Sequence, residues 1–218
     1  IIAGSLAVNN SFTSVRDLMR ETAEFNLSFF GIRPSKIFDT VDERVCIING
    51  KVDGSNHQIN TAKNQRFTKE DRETLFDDIE YASTEGLLLG SKIGLREDGE
   101  DTRLPKIGDQ ETREILLKLK ELSEDQILSD LVEEDGDYEL EFRTSARYWI
   151  NALREFPYQS TKIEKLKFSS EVDRNFVQLL INSNLFYLYW SVYGSNRDVF
   201  KNLVGKLAAV ESEELEEY

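Results

Sequence analysis

A mixed α/β fold in two units is what this sequence predicts, on three observations. Apolar runs of strand length alternate with amphipathic helical stretches over the first part of the chain. A glycine- and acid-rich seam, "GLLLGSKIGLREDGEDTRLPKIG" from Gly86 to Gly108, then changes the texture and reads as a boundary between units. Beyond it, capped helices surround one strand of clear alternation. The 218 residues, 39% hydrophobic and 11% aromatic, are enough for one large domain or two small ones with real cores.

Each element has its own signal. "IIAGSLAV" is a continuous apolar run read as a buried strand, and it ends at the turn-forming "NNSFTS". Ser14 caps a helix over "VRDLMRETA", with Val15, Leu18 and Met19 on one face and Asp17 in the first turn. "NLSFF" and "ERVCIING" are strands rich in branched and aromatic residues, separated by a polar loop holding Arg33, Pro34, Ser35, Lys36 and Phe38. Gly50 to Asn60 is a turn, and "HQINTAKNQRF" returns as a weak strand. Thr68 caps an expected helix, "KEDRETLFDDIEYA", with Leu75, Phe76 and Ile79 on one stripe. After the seam, Asp109 caps "QETREILLKLKEL", and Ser123 with Gln126 forms a capping box for a second short helix, "EDQILSDLV". "DYELEFRTS" alternates Tyr138, Leu140 and Phe142 against charged residues, a strand with one wet face. Two apolar helical pieces broken at "NSN" follow, and "RDVFKNLVGKLAAV" is a last amphipathic helix.

No apolar run reaches eighteen residues, and no basic stretch precedes the short apolar start, so the reading is a soluble cytoplasmic chain without membrane partners. The chain opens on Ile1 and on a strand already under way, the texture of a fragment. Cys46 sits in the apolar "VCII" as a small hydrophobe, and His57 has no Cys or His partner nearby in sequence, so neither a metal site nor a His-based triad is expected. No GxGxxG, Walker loop, GxSxG or HExxH occurs.

The net charge of -14 argues against nucleic-acid binding over the whole surface. The charge is segregated, however. Glu121 to Glu141 holds ten acids and no base, whereas Arg143 to Lys167 holds six bases against two acids. That basic segment, "RTSARYWINALREFPYQSTKIEKLK", interleaves Arg143, Arg147, Lys162, Lys165 and Lys167 with Tyr148, Trp149, Phe156 and Tyr158. Cations suit phosphates and rings suit bases. The plainer reading makes Tyr148 and Trp149 core residues and the lysines an ordinary wet face.

Four stretches in one order carry a resemblance: "SFFGIRPSKIFDTVDERVCIING", "LPKIG" at Leu104 to Gly108, "RYW" at Arg147 to Trp149 and "LLINSNLFYLYW" at Leu179 to Trp190. The run resembles adenine-specific (N6) DNA methyltransferases of type II and IIG restriction-modification systems, fused or linked to endonucleases. The resemblance implies that residues 1–85 are the tail of a doubly wound methyltransferase sheet and residues 86–218 a mixed α+β target-recognition region. It implies double-stranded DNA and the remainder of the methyltransferase chain as partners. S-adenosylmethionine would be the cofactor of the full-length parent and is not expected for this chain alone. The Asn-Pro-Pro-Tyr catalytic motif and the glycine-rich cofactor loop of the family are absent, so no catalytic residue is expected in this chain. By the same resemblance Phe38 would stack on a flipped adenine, with Arg33, Ser35 and Lys36 near phosphates or the pocket entrance. Arg143, Arg147, Tyr148, Lys162 and Lys165 would bind DNA. The turn after the aromatic helix, "SVYGSNRDVF", matches the family only loosely, at Arg197 and Asp198. The competing class is an acidic protein-interaction domain or DNA mimic, with its basic segment held in internal ion pairs.

Overall fold

The computed structural model describes residues 1–51, 57–87, 103–146, 149–199 and 201–209. Most of the glycine-rich seam, the acidic tail, and the expected DNA-binding pair Arg147 and Tyr148 lie outside the described residues. The described residues form two compact units, 1–87 with 103–117 and then 118–209.

The first unit is built on a five-stranded mixed sheet. Its strands are β1 (Ile2–Ala3), β2 (Glu24–Phe30), β3 (Val45–Lys51), β4 (Ile59–Gln65) and β5 (Ala82–Ser83), in the order β1-β3-β2-β4-β5. β3 runs antiparallel between β1 and β2, and β4 lies parallel to β2 on the other side. The expected strand over "IIAGSLAV" is only two residues long. Gly4 donates its N–H to the Arg44 carbonyl at 2.7 Å, and the chain then coils into a 3-10 turn over Gly4–Ala7. Leu6 and Ala7 are fully buried there, so the apolar run records burial in a turn.

Helix α1 (Thr13–Thr22) joins β1 to β2. Its expected apolar face is only partly used: Met19 is buried, but Leu18 is 59% exposed and Arg16 takes the inward position. The Arg16 guanidinium donates to the carbonyls of Leu6 at 2.7 Å and Asn9 at 2.8 Å, satisfying backbone acceptors that the turn leaves open. Leu27, Phe29, Cys46, Ile59 and Leu104 complete the core around Leu6 and Met19.

The expected helix after Thr68 is reduced to a 3-10 turn over Glu70–Glu73. Asp71 accepts from the N–H and hydroxyl of Thr68, while Arg72 reaches away to the Lys36 carbonyl and the Asp39 carboxylate. Tertiary bonds here override a helical pattern. "LPKIG" belongs to this first unit and not to the second. Thr61 donates its hydroxyl to the Pro105 carbonyl at 2.6 Å, and Gly108 donates its N–H to the Thr61 carbonyl. Gly108 has φ +86 and a side chain there would collide with the Lys63 backbone, which explains the glycine.

The division between units falls inside α2 (Gln110–Asp125), which fuses the first expected helix with the start of the second. What remains of that second helix is a 3-10 turn over Leu128–Leu131, where Ile127 donates its N–H to Asp130. The second unit has an antiparallel sheet of β6 (Tyr138–Arg143), β7 (Ala152–Leu153) and β8 (Ile163–Phe168), in the order β7-β6-β8. Leu140 and Phe142 point into the core, as their alternation requires. α3 (Glu171–Ile181) packs on this sheet, capped by Ser170, and α4 (Asn184–Tyr193) follows, capped by Ser183. The break between them has a structural use: Asn182 accepts from the Ala152 N–H at 3.0 Å and donates to the Ala152 carbonyl at 2.8 Å. The last expected helix shortens to α5 (Lys201–Gly205).

Candidate nucleic-acid interface

Two places carry the residues singled out by sequence, one in each unit. In the first unit, the loop 31–44 leaves the carboxyl end of β2 and returns into β3. The loop thus lies at one end of the five-stranded mixed sheet. The loop is tightly held. Gly31 donates to the Gln65 carbonyl, Ser35 donates its N–H to the Phe67 carbonyl, and the Arg33-Pro34 peptide is cis. Arg72 ties down Lys36 and Asp39 from outside, and the Lys36 ammonium lies 2.7 Å from Asp42. The arginine beside Asp39 and the lysine beside Asp42 hold both carboxyls below their ordinary range. Ser35 is buried as an anchor of the loop, and the charge of Lys36 is matched. Arg33 and the 38%-exposed Phe38 are therefore the two expected contact residues that the loop offers to solvent.

In the second unit, four segments converge on a pocket of about 520 Å³ lined by Arg143, Ser145, Trp149, Asn151, Lys162 and Arg197, with Asp198 on its wall. Backbone bonds fix the convergence. Arg143 donates its N–H to the Asn151 carbonyl, and Thr144 donates to the Lys162 carbonyl. Ala146 donates to the Arg197 carbonyl at 2.8 Å and Val199 to that of Thr144 at 2.8 Å, zipping the turn after α4 onto the end of β6. That turn is itself stiff. The Asp198 N–H donates to Ser195 Oγ, the fully buried Trp190 donates its indole N–H to the Asp198 carbonyl at 3.0 Å, and Asn196 sits at φ 59, which asparagine tolerates.

The electrostatics of the pocket differ from those of its surroundings. Among the described residues no carboxylate lies within ion-pair distance of Arg143, Lys162 or Arg197, and the buried Arg143 Nε has no hydrogen-bond partner. Lys165, two residues into β8, is instead held by Glu139 at 2.7 Å and Glu141 at 3.2 Å, which raises its affinity for its proton and lowers that of Glu139. Trp149 is 66% exposed at the pocket rim, so the core reading fails for this ring. The structure thus brings Arg143 and Lys162 together and sets Lys165 apart in ion pairs. It adds Asn151, Arg197 and Asp198, of which only the last two left a trace in sequence, as the loosely matched turn.

Among the described residues no cluster of three His, Cys, Asp or Glu side chains is placed to hold a metal ion, and no helix is long and apolar enough to cross a membrane. Cys46 is buried in the core, its thiol pushed up to about 12 by burial. A scan of protein-family models matches nothing in this chain, and neither does a search of curated proteins.

Proposed function

We propose that this chain provides DNA contact and target selection to an adenine-N6 DNA methyltransferase of a restriction-modification system. The observation that carries the reading is the second-unit pocket, lined by an exposed indole and by three cations with no carboxylate in ion-pair distance among the described residues, in a protein of net charge -14. Unmatched positive charge in so acidic a chain is what a phosphate-bearing ligand neutralises. The first unit supports the same reading. β1 and β2 are parallel strands joined through α1, with β3 slotted between them, and the loop bearing Phe38 lies at their carboxyl ends. A loop aromatic at that edge suits stacking on a base drawn out of the duplex.

On this reading S-adenosylmethionine belongs to the catalytic part of the methyltransferase, since the glycine-rich cofactor loop does not occur in this sequence. No methyl-transfer step is assigned to this chain; its residues bind and position DNA for a catalytic part carried elsewhere.

Fluorescence anisotropy with labelled duplex DNA at rising salt tests the reading. Binding whose log affinity falls linearly with log salt is expected, with a slope set by about three phosphate contacts. Absence of binding at low salt leaves the alternative, an acidic interaction domain or DNA mimic. The acids of Glu121 to Glu141 are the observation favouring that alternative, although Glu139 and Glu141 are already engaged by Lys165.

A further inference from the structure

We infer that the second-unit pocket takes a single unpaired nucleotide, its base stacked on Trp149 and the backbone phosphates around it held among Arg143, Lys162 and Arg197. The inference rests on the DNA-binding reading and narrows it. Three features favour an unpaired nucleotide over the flank of an intact duplex. The cations line a concavity of about 520 Å³, within the size range of small-ligand sites, whereas duplex backbone is gripped along an extended surface. Outside the pocket, two exposed cations of the same segment already face carboxylates, Lys165 those of Glu139 and Glu141 and Arg154 that of Glu171 at 3.6 Å. An indole exposed to 66% at the rim is accessible to an unpaired base, which can stack on it, whereas bases paired in a duplex cannot.

The polar groups are divided accordingly. Arg143 lines the pocket, and its buried Nε has no hydrogen-bond partner among the described residues. Asp198 repels phosphate but accepts from an amino group on a base edge, and the Asn151 amide can both donate and accept. Phosphate toward the cations and base edge toward Asp198 is the orientation these charges allow. Such a nucleotide could come from a single strand or from a base displaced out of a duplex.

The chain holds two tryptophans, and Trp190 is fully buried, so quenching by a ligand reports on Trp149. The full chain is titrated with a single-stranded oligonucleotide, a perfect duplex, and the same duplex carrying a one-nucleotide bulge. Expected are quenching by the single strand or the bulged duplex and little by the perfect duplex, with Trp149→Ala weakening binding of the quenching ligand at least about fivefold and Trp149→Phe retaining most of it. Quenching by the bulge alone identifies a displaced base as the source, and quenching by both identifies any unpaired nucleotide. Duplex binding that persists while neither unpaired ligand quenches, or while Trp149→Ala binds the bulged duplex as tightly as the native chain, overturns the inference and leaves the DNA-binding reading standing. No binding of any of the three ligands overturns both.

Discussion

Lys165 holds its ammonium 2.7 Å from a Glu139 carboxylate oxygen and 3.2 Å from one of Glu141, directly across the β6–β8 pairing. Lys162, three residues earlier, lines the pocket and has no carboxylate within reach among the described residues. Two lysines of one basic segment therefore differ in the charge they can offer a phosphate. Lys162→Gln is expected to weaken DNA binding and to reduce the salt slope by about one, as are Arg143→Gln and Arg197→Gln, whereas Lys165→Gln leaves the slope unchanged. Anisotropy titrations at several salt concentrations check this, and a slope lost with Lys165 instead of Lys162 contradicts it.

Phe38 is partly exposed on a loop whose hold on the fold comes from Gly31, Ser35, Lys36 and Asp39. Removing its ring should leave folding intact. Within an assembled methyltransferase, Phe38→Ala is expected to slow methylation at least about fivefold, by loss of stacking, with Phe38→Trp retaining activity. Single-turnover methylation rates measure this, and equal rates for Phe38→Ala and the native residue sink the stacking role.

Asn182 supplies both a donor and an acceptor to the backbone of the fully buried Ala152. Asn182→Ala leaves that buried N–H without its acceptor and is expected to destabilise the second unit by roughly 1–3 kcal/mol. The urea midpoint should fall while the slope of the transition is kept.

Lys106 is buried beside Arg103 and Arg44, and burial with those two like charges pushes its pKa from 10.5 down to about 7. Between about pH 7 and 10.5 the unfolded chain binds a proton at this residue that the folded chain largely does not. Stability from this group therefore rises as pH rises through that window and is lowest below pH 7. Lys106→Met is expected to flatten the pH dependence of urea stability between pH 7 and 10, and an undiminished slope in that variant counts against the assignment.

Legibility in the sequence followed the range of the interactions. β2, β3, β6 and the α3–α4 break could be read because branched residues, alternation and the polar "NSN" between two apolar helical pieces act within a few positions. The stretch after Thr68 reads as helix but is held as a turn, since Arg72 is drawn to Lys36 and Asp39, more than thirty residues away in sequence. β8 has apolar Ile163, Leu166 and Phe168 among charges without strict alternation, and its pairing with β6 is what makes it a strand. Arg143, Lys162 and Trp149 were visible as residue types. Their meeting with Arg197 depends on the Ser145–Asp198 bridge, a pairing across some fifty positions that no local pattern encodes.

The bond from Trp190 to the Asp198 carbonyl ties the pocket wall to a fully buried ring of α4. The wall is thus shaped when the second unit folds and not when a ligand arrives, so little ordering is left to oppose association. Site and core then form one thermodynamic unit. A ligand that fills the pocket raises the melting temperature of the whole second unit, and loosening the packing around Trp190 weakens a site whose own side chains are untouched.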